Sequence, residues 1–489
     1  MSGLAADTDS SLGPWGRRIG LFAAIGAAVG LSLWGPQSGL SPAAWVALTT
    51  LICVVILWVT EAVPPAVAAF APLIVFPLTG VLKPIEAAAP FADPILFIFI
   101  GGFMIAKAIA HWGLHRRLAL LTAVTSGGGP RALVIGFILA ATLLSMWISN
   151  TSTTLMLVPI AVGAAEAMRR AGYTDPKLGM ALVLGVAFAA SIGGMATPVG
   201  SPTNLIAMKF LDAQNQSLGF AAWMTHALPI VLVMTVALCG LMILGLQGAG
   251  AGVRAQGQEA LKTALNEQGP VRAAEWRVGL VFLLVALAWM GREPLSKLPG
   301  LGGLTDMVIA MAGAFVLFVI PSGDKAADGS SEPLLRWETA TQIPWGVVML
   351  FGGGLSLAAG LEATGVSDWL AGALSGLGVW PPALILLVLL LVTLVATELM
   401  SNVATLTAML PILAAFAKGA GLDPLFLMFP VSLAASLGFM LPTATGPNAI
   451  AYASGVVPLR GMLLRGGALD LLGVTVVLAA ALLMGTAGR

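Results

Sequence analysis

Long apolar segments follow one another from Leu21 to the C-terminus of this chain, and they constrain its fold more than any other feature. Many approach the ~20 residues that an α-helix needs to cross the hydrocarbon core of a bilayer. Only 9% of the 489 residues are charged, against roughly 25% in a typical soluble domain. The sequence therefore predicts an all-α polytopic membrane protein.

Eleven of the apolar segments are predicted to cross the membrane. They are residues 18–35, 43–61, 66–82, 93–112, 178–208, 222–246, 276–291, 304–320, 344–363, 428–456 and 466–486. Two further apolar stretches, 132–166 and 381–417, carry polar residues in their middle. The 15 residues before the first polar cluster, Val134 to Ile148, reach about 22 Å as a helix, short of the roughly 30 Å core. We therefore predict two re-entrant helical hairpins, whose tips are buried in protein or line a wet cavity.

Lysine and arginine residues predict the orientation. With the N-terminus inside and each hairpin counted as zero crossings, sixteen basic residues fall inside, six fall outside, and Lys107 lies within a span. This asymmetry follows the positive-inside rule and favours a cytoplasmic N-terminus in an inner (plasma) membrane. The net charge of +1 gives no indication of a nucleic-acid partner.

The chain contains an internal repeat. The stretch "MWISNTSTTLMLVPI" (Met146 to Ile160) matches "ELMSNVATLTAMLPI" (Glu398 to Ile412) at an ungapped offset of 252 residues. Downstream, "AASIGGMATPVGSPTN" (Ala189 to Asn204) matches "AASLGFMLPTATGPN" (Ala434 to Asn448), and both run from a helix into helix-breaking residues. Each repeat holds an odd number of crossings, so the second copy is inverted. Inverted repeats with interrupted helices at matching positions indicate the binding site of a secondary transporter.

The six polar residues of the first cluster, residues 149–154, carry no charge, and this predicts the chemistry of the clusters. Unwound carbonyls together with Ser, Thr and Asn oxygens form a neutral cage for Na⁺, whereas freed N–H groups at helix N-termini favour an anion. Two inverted copies therefore predict two cation cages around one anion site. An alternative interpretation treats the clusters as packing contacts between membrane helices. A serine nucleophile is disfavoured, since no feature brings a histidine near Ser149.

Several stretches resemble the divalent anion/sodium symporter family of dicarboxylate and sulfate transporters. They are "WVTEAVPPAVAAFAPLIVFPLTGV", "FIFIGGFMIAKAIAHWGLHRRLAL", both SN-containing clusters, "GSPTN" and "ATGPN". The resemblance extends over nearly the whole chain from about Ala44. It implies a homodimer in which a scaffold domain flanks a mobile transport domain that moves like an elevator.

The same resemblance implies the site residues. The first Na⁺ site would use Ser145, Ser149, Asn150 and Gly200, and the second Thr397, Met400, Asn402 and Ala444. The positions implied to face the substrate are Asn150, Thr151, Ser201, Asn402, Val403 and Thr445. Two residues depart from the family pattern, because Val403 stands where a Thr is common and Gly446 where a Pro is common. Val403 removes a hydroxyl, so we do not expect the two carboxylates of a substrate to be bound symmetrically.

The resemblance also implies a division of the chain into alternating parts. The expected parts are a cytoplasmic tail (1–17), scaffold (18–131), transport domain (132–246), a cytoplasmic loop (247–275), scaffold (276–380) and transport domain (381–489). Each scaffold part is expected to hold an interfacial helix, the first of them at "HRRLALL".

These features predict a transporter rather than an enzyme. We expect import of C4-dicarboxylates such as succinate, malate and fumarate, coupled to Na⁺, by a homodimer embedded in membrane lipid. Within transport, the alternatives are a sulfate carrier and a dicarboxylate exchanger that needs no Na⁺. A channel or a structural membrane protein is a third alternative, which the duplicated helix breaks disfavour because a simple pore does not need two gates.

Overall fold

The computed structural model describes residues 13–36, 39–325 and 331–487. Helices make up nearly all of the regular structure, as a water-poor surrounding requires of backbone groups. In chain order the helices are α1 (Gly13–Trp34), α2 (Pro42–Thr60), α3 (Pro65–Ala68), α4 (Ala71–Thr79), α5 (Pro84–Ala88), α6 (Pro94–His111), α7 (Leu114–Ser126), α8 (Pro130–Ser145), α9 (Asn150–Arg170), α10 (Lys177–Gly194), α11 (Pro202–Ala213), α12 (Phe220–Ile243), α13 (Ala251–Asn266), α14 (Ala273–Met290), α15 (Arg292–Ser296), α16 (Asp306–Val319), α17 (Trp337–Ala340), α18 (Trp345–Ala363), α19 (Val366–Leu374), α20 (Pro382–Leu399), α21 (Asn402–Ala420), α22 (Pro424–Ala434), α23 (Gly446–Ala453) and α24 (Leu459–Ala487). Short 3₁₀ turns occupy Ala89–Ala92 and Ser375–Val379, and two strands, β1 (Pro321–Lys325) and β2 (Ser331–Pro333), pair antiparallel.

Among the described residues, eleven helices are long and apolar enough to cross a membrane. This number agrees with the prediction, and the chain is an all-α polytopic membrane protein. The eleven helices of span length are not, however, the same as the eleven predicted spans. Three hairpin arms, α9, α20 and α21, have span length, whereas α16 has only 14 residues. The hairpin arm α9 reaches 21 residues because its helix continues into the hydrophilic stretch that ends at Arg170.

Both polar clusters interrupt a helix where the sequence predicts an interruption. Helix α8 ends at Ser145 and α9 begins at Asn150, and the hydroxyl oxygen of Ser149 caps α9 by accepting the Ser152 N–H at 3.3 Å. We call residues 146–149 the first hairpin turn. Helix α20 ends at Leu399 and α21 begins at Asn402, so residues 400–401 form the second hairpin turn.

Both predicted helix breaks are also present. The first break, residues 195–201, separates α10 from α11, and the second break, residues 435–445, separates α22 from α23. Proline follows each break at the first or second helical position, where its missing N–H costs nothing. The predicted span 178–208 is therefore a pair of shorter helices.

The hydrophilic loops hold more structure than the sequence predicts. The loop at 247–275 contains α13, which packs against α7 and α9. The helix predicted at "HRRLALL" is present as α7, and Arg117 on it forms an ion pair with Glu275 at 2.6 Å. The same guanidinium donates to the carbonyl of Gly269 at 3.0 Å. Because the Arg117 and Glu275 side chains are only 11% and 5% exposed, this pair is buried and fixes α7 to the start of α14.

The chain divides into two compact units that do not follow the order of the sequence. The first unit contains Met1–Leu96, Pro344–Pro382 and Val403–Leu427, and the second contains Phe97–Ile343, Ala383–Asn402 and Met428–Arg489. The second unit thus holds both hairpin turns, both breaks and every predicted site residue except Val403. The predicted scaffold and transport boundaries remain a prediction.

Close helix contacts through glycine organise each unit internally. In the first unit, a Cβ atom at Gly353 of α18 would lie 2.1 Å from the Ala69 carbonyl oxygen, so only glycine fits there. In the second unit, α10 packs against both α8 and α9. A Cβ atom at Gly193 would lie 2.3 Å from the Thr142 carbonyl oxygen of α8. This contact brings the end of α10 against the end of α8, where the first hairpin turn begins.

Candidate functional site

The first polar cluster places an amide oxygen between a hairpin turn and a helix break. The buried hydroxyl of Ser145 donates to Asn150 Oδ1 at 2.7 Å, across the first hairpin turn. The Asn150 side chain in turn lies on Gly194, the last residue of α10, where an added Cβ would be 2.3 Å from Oδ1. A glycine at this position therefore lets the amide reach the broken end of the helix.

Backbone carbonyl oxygens converge beside this amide. A Cβ atom at Gly200 would lie 2.6 Å from the Gly194 oxygen and 3.0 Å from the Met146 oxygen. The Thr197 hydroxyl donates to the Met146 oxygen and accepts the Gly200 N–H at 3.1 Å. The first hairpin turn and the first break thus form a small, uncharged set of oxygen atoms, which is the kind of ligand set that Na⁺ takes.

The second half of the chain repeats this arrangement. The Thr397 hydroxyl lies 2.8 Å from Asn402 Oδ1 and 2.6 Å from the Ala435 carbonyl oxygen. A Cβ atom at Gly438 would lie 3.1 Å from Ala444 Cβ and 3.3 Å from the Thr397 carbonyl oxygen. Thr397 and Asn402 are the offset-252 counterparts of the first hydroxyl–amide pair, so sequence repeat and local geometry agree.

A bridging asparagine spans each helix break. Asn204 Nδ2 donates to the Gly194 and Thr197 carbonyl oxygens at 2.8 and 2.7 Å. Asn448 Nδ2 donates to the carbonyls 10 and 7 residues before it, at 3.0 and 2.9 Å, which is the same spacing. Both side chains are fully buried. The two amides satisfy carbonyls that the broken helices no longer use.

The two halves meet within the second unit. A Cβ atom at Gly446, the first residue of α23, would lie 2.5 Å from Thr151 Oγ1, so the exposed Thr151 side chain lies directly on the start of α23. The Thr203 hydroxyl lies 2.8 Å from that of Ser201 and 3.3 Å from that of Ser436 in the second break. Residues of the first copy therefore contact the second break at two places.

The start of α23 provides the features of an anion site. Thr445 is extended and caps the helix by accepting the Asn448 N–H at 3.2 Å. The N–H groups of the first turn of a helix point away from the helix and carry partial positive charge. The Thr151 hydroxyl lies beside them. Pro447 has no N–H, and the N–H groups of Asn448 and Ala449 bond to Thr445. The Gly446 N–H and the Thr151 hydroxyl are therefore the donors that the start of α23 can offer to an anion.

Comparison with known proteins places the chain in a family. A family model described as the sodium:sulfate symporter transmembrane region matches residues 17–487, which is nearly the whole chain. The chain belongs to the sodium:sulfate symporter family. The divalent anion/sodium symporter resemblance of the sequence motifs is thereby confirmed.

Two relatives of this chain are named sodium-dependent dicarboxylate transporter SdcS. The protein from Staphylococcus saprophyticus is 35% identical over 428 residues, which cover 86% of this chain and 82% of the relative. The protein from Staphylococcus aureus is 33% identical over 433 residues, with the same shares covered.

Solved structures with little sequence similarity share the fold. MtrF of Neisseria gonorrhoeae, described with a class of antimetabolite efflux pumps, aligns with a TM-score of 0.58 and 13% identity over 93% of this chain and 96% of its own. The Alcanivorax borkumensis YdaH transporter aligns with a TM-score of 0.53 and 13% identity over 84% and 88% of the two chains. At this identity the likeness concerns the fold alone.

The roles of the remaining predicted site residues stay predictions. Ser149 Oγ caps α9, and Met400 is 7% exposed at the second hairpin turn. Val403 is half-buried and belongs to the first unit. Among the described residues, no group of three or more His, Cys, Asp and Glu side chains is placed to hold a metal ion. The oxygens gathered at the two predicted cages come from hydroxyl, amide and carbonyl groups.

One acidic residue of the second hairpin supports a helix break. Glu398, 3% exposed, accepts the N–H groups of Met440 and Leu441 at 2.7 and 2.9 Å. The asparagine bridges and the Thr197 hydroxyl are missing from the predicted site residues. The two asparagines can be found from the sequence, since each quoted break motif ends in Asn at a matching position.

Proposed function

We propose that this chain imports C4-dicarboxylates such as succinate, malate and fumarate together with Na⁺. The observation that carries the proposal is the repeated hydroxyl–amide pair, Ser145 with Asn150 and Thr397 with Asn402, each beside a bridged helix break. Two matching sets of neutral oxygens in one compact unit suit two Na⁺ ions. The names of the staphylococcal relatives support the same cation and the same class of substrate.

Coupling follows from the neutral side chains that we propose as ligands at these sites. Without Na⁺, a dianion at the start of α23 meets hydroxyls and partial charges only. Bound Na⁺ adds full positive charges next to the substrate, and the substrate likewise neutralises the ions. Each solute therefore raises the affinity of the other, which is the reciprocal coupling that symport needs.

Substrate contacts are proposed at Asn150, Thr151, Ser201, Asn402 and Thr445. Thr151 offers a hydroxyl, whereas its counterpart Val403 does not, so the two carboxylates are held unequally. We further propose that the transport domain moves like an elevator within a homodimer in the inner membrane, because inverted repeats with broken helices serve alternating access around one site.

Uptake into proteoliposomes tests the proposal. Labelled succinate should accumulate with an inward Na⁺ gradient, should not accumulate when choline replaces Na⁺, and should saturate and accelerate when unlabelled succinate is placed on the opposite side. Flux that never saturates would indicate a channel, and Na⁺-independent exchange would contradict coupling. Asn266→Ala, an exposed exchange on α13, provides a control for expression and reconstitution.

Sulfate is the second candidate substrate, because the description of the matching family model names it. Labelled sulfate, assayed in the same vesicles, separates the two. If sulfate is taken up with Na⁺ and excess succinate does not compete, the dicarboxylate assignment is wrong.

A further inference from the structure

A cavity lies between three helices of the second unit, outside both predicted cation cages. Its volume is about 300 Å³, and residues of α7, α9 and α13 form its walls. Pro159, Gly163 and Leu261 are among the apolar residues that line it, and Arg116 is the one charged residue among the described residues of the lining. A cavity of this size with apolar walls and a single charged group suits part of a small amphiphilic molecule.

Close contacts hold α13 in place as one wall of this cavity. The Gln258 side-chain amide of α13 donates to the Val124 carbonyl oxygen of α7 at 2.8 Å. A Cβ atom at Gly257 would lie 2.6 Å from the Gly128 carbonyl oxygen, so α13 closely approaches the segment that leads into the first hairpin. Leu261, one turn further along α13, is buried. The cavity is therefore a space between packed helices.

One side of the cavity is open. Pro159 and Gly163 are exposed, although both lie in the middle of α9. A Cβ atom at Gly163 would lie more than 4 Å from every described heavy atom apart from the nearby backbone of α9. A ligand can therefore enter the cavity from the surroundings of the protein and pack against this part of α9.

The guanidinium group of Arg116 has no protein partner in the described part of the chain. Arg116 is exposed, and no hydrogen bond or ion pair involves it. The one carboxylate of α9, that of Glu166, is already bonded to Arg169 at 2.8 Å and to Arg170 at 3.3 Å. A guanidinium without a counter-charge attracts an anion, and its planar set of donors matches the oxygens of a phosphate group.

The position of the cavity along α9 corresponds to the depth of lipid headgroups. Helix α9 starts at Asn150, directly after the first hairpin turn, and a re-entrant turn is expected near the middle of the bilayer. At 1.5 Å per residue, Pro159 and Gly163 lie roughly 14–20 Å from that start. Half of the hydrocarbon core is about 15 Å. With the predicted orientation, Arg116 thus lies at the level of the phosphates of the cytoplasmic leaflet.

We propose that this cavity binds an anionic phospholipid of the cytoplasmic leaflet. The lipid phosphate accepts hydrogen bonds from the Arg116 guanidinium, and the glycerol and the first acyl carbons occupy the apolar space beside Gly163. A zwitterionic lipid binds less well, because the described lining holds no carboxylate for its ammonium group. The bound lipid joins α7 to α9, the second arm of the first hairpin. This site goes beyond the proposed function and does not rest on it.

Photocross-linking of the purified full-length protein in detergent tests the proposal. The probe is phosphatidylglycerol that carries a diazirine near the carboxyl end of one acyl chain, and proteolysis followed by mass spectrometry locates the cross-links. In the wild type, we expect cross-links within residues 159–164 and 261–264. An excess of unlabelled phosphatidylglycerol should remove them, whereas phosphatidylcholine with the same acyl chains, or inorganic phosphate, should not.

Two variants change the cavity in different ways, and each has a matched control. Gly163→Leu fills the open space, and Gly240→Leu makes the same exchange at an exposed glycine of α12 with equally free surroundings. Arg116→Gln removes the charge, and Arg460→Gln does so at an exposed arginine of α24. We expect Gly163→Leu to abolish these cross-links and Arg116→Gln to lower them about fivefold, which corresponds to about 1 kcal/mol for one basic residue near an anionic membrane surface. Both controls should match the wild type.

Cross-links found only outside the two segments, or unchanged cross-linking in either Gly163→Leu or Arg116→Gln, would overturn the proposal. Equal displacement by phosphatidylcholine would overturn it as well, because the cavity would then take any lipid, and displacement by inorganic phosphate would show a site for a free anion instead. If Gly163→Leu does not fold, Arg116→Gln and the competition on the wild type decide. None of these measurements needs transport, so a failure of succinate uptake leaves their result standing.

Discussion

At the scale of single residues, the site depends on which lone pairs stay free. Asn150 Oδ1 accepts the Ser145 hydroxyl hydrogen. Asn402 Oδ1 lies 2.8 Å from the Thr397 hydroxyl, whose single hydrogen also has the Ala435 carbonyl oxygen as an acceptor at 2.6 Å. An amide oxygen has two lone pairs, so each retains one for a cation. The Ser145 and Thr397 hydroxyls, which are themselves predicted cation ligands, lie within hydrogen-bonding distance of these oxygens.

Removing either amide should therefore weaken Na⁺ binding. We expect Asn150→Ala and Asn402→Ala each to raise the Na⁺ concentration for half-maximal succinate uptake by about tenfold, since a bond to a charged group is worth roughly 1.5–3 kcal/mol. Uptake at varied Na⁺ and fixed succinate measures this, with the exposed Asn266→Ala as control. Unchanged Na⁺ dependence in both variants would mean that the cages are wrongly assigned.

The unequal hydroxyls predict a pair of opposite effects on substrate binding. Thr151→Val removes a donor and should weaken succinate binding about tenfold, while Val403→Thr adds one at nearly equal volume and should tighten it. Substrate affinity is measured at saturating Na⁺, and the Na⁺ dependence should change little in either variant. Unaltered succinate affinity in Thr151→Val would favour the alternative in which the polar cluster is a packing contact.

Gly446 offers a steric test of the same hydroxyl. A Cβ atom there would lie 2.5 Å from Thr151 Oγ1, so Gly446→Ala should displace the Thr151 side chain and lower succinate affinity. The double variant Gly446→Ala/Thr151→Ser, which removes the Thr151 methyl group, should recover part of the loss. Full affinity in the single variant would show that the Thr151 position is not critical.

At the scale of elements, the helix breaks are rigid structures rather than flexible gaps. Each bridging asparagine uses both amide hydrogens on carbonyls that lie in one break or at the helix end beside it. The backbone at the break can therefore present oxygens at fixed positions before any ion arrives. Such preorganisation lowers the ordering cost of binding.

Loss of a bridge should appear as lost stability. Asn204→Ala and Asn448→Ala each remove two hydrogen bonds from break carbonyls. The Thr197 and Leu441 carbonyls keep the N–H groups of Gly200 and Ala444, whereas the buried Gly194 and Gly438 carbonyls lose the amide donor, at about 1–3 kcal/mol per group. We expect a clearly lower Tm for both variants in detergent, whereas the exposed Asn266→Ala should leave Tm unchanged. If Tm is unaffected, water or neighbouring donors replace the bridges, and the breaks are less rigid than described.

The buried ion pair of α7 allows a second test at this scale. Removal of one partner of a buried pair commonly costs about 3–5 kcal/mol, so Glu275→Gln should lower Tm markedly. Arg117→Lys should not substitute for the native residue, because a lysine cannot also reach the Gly269 carbonyl in the same geometry. The exposed pair between Lys418 and Asp368 is the control, and Asp368→Asn should have little effect. If Glu275→Gln and Asp368→Asn lowered Tm by the same amount, burial would not explain the contribution of the Arg117–Glu275 pair to stability.

At the scale of the whole molecule, the sequence predicts the interruptions better than the spans. The hairpin turn before Asn150 and the breaks before Asn204 and Asn448 are visible because polar, glycine and proline residues recur at matching offsets. The sequence does not show in the same way which helices are long enough to span the membrane, because hydropathy reports composition and not where a helix ends. The amphipathic helix α13 was missed for a related reason, since its apolar face is covered by α7 and α9 rather than by the apolar core of a domain.

The neutrality of the two cages determines how voltage acts on the proposed cycle. A transport unit without fixed charge in its cages carries only the charge of its cargo, and two Na⁺ with one dianion cancel. The membrane potential, worth about 2.3 kcal/mol per charge per 100 mV, would then do no work on the loaded step. Loaded transport in this cycle would therefore respond to the Na⁺ and substrate gradients and not to the electrical potential.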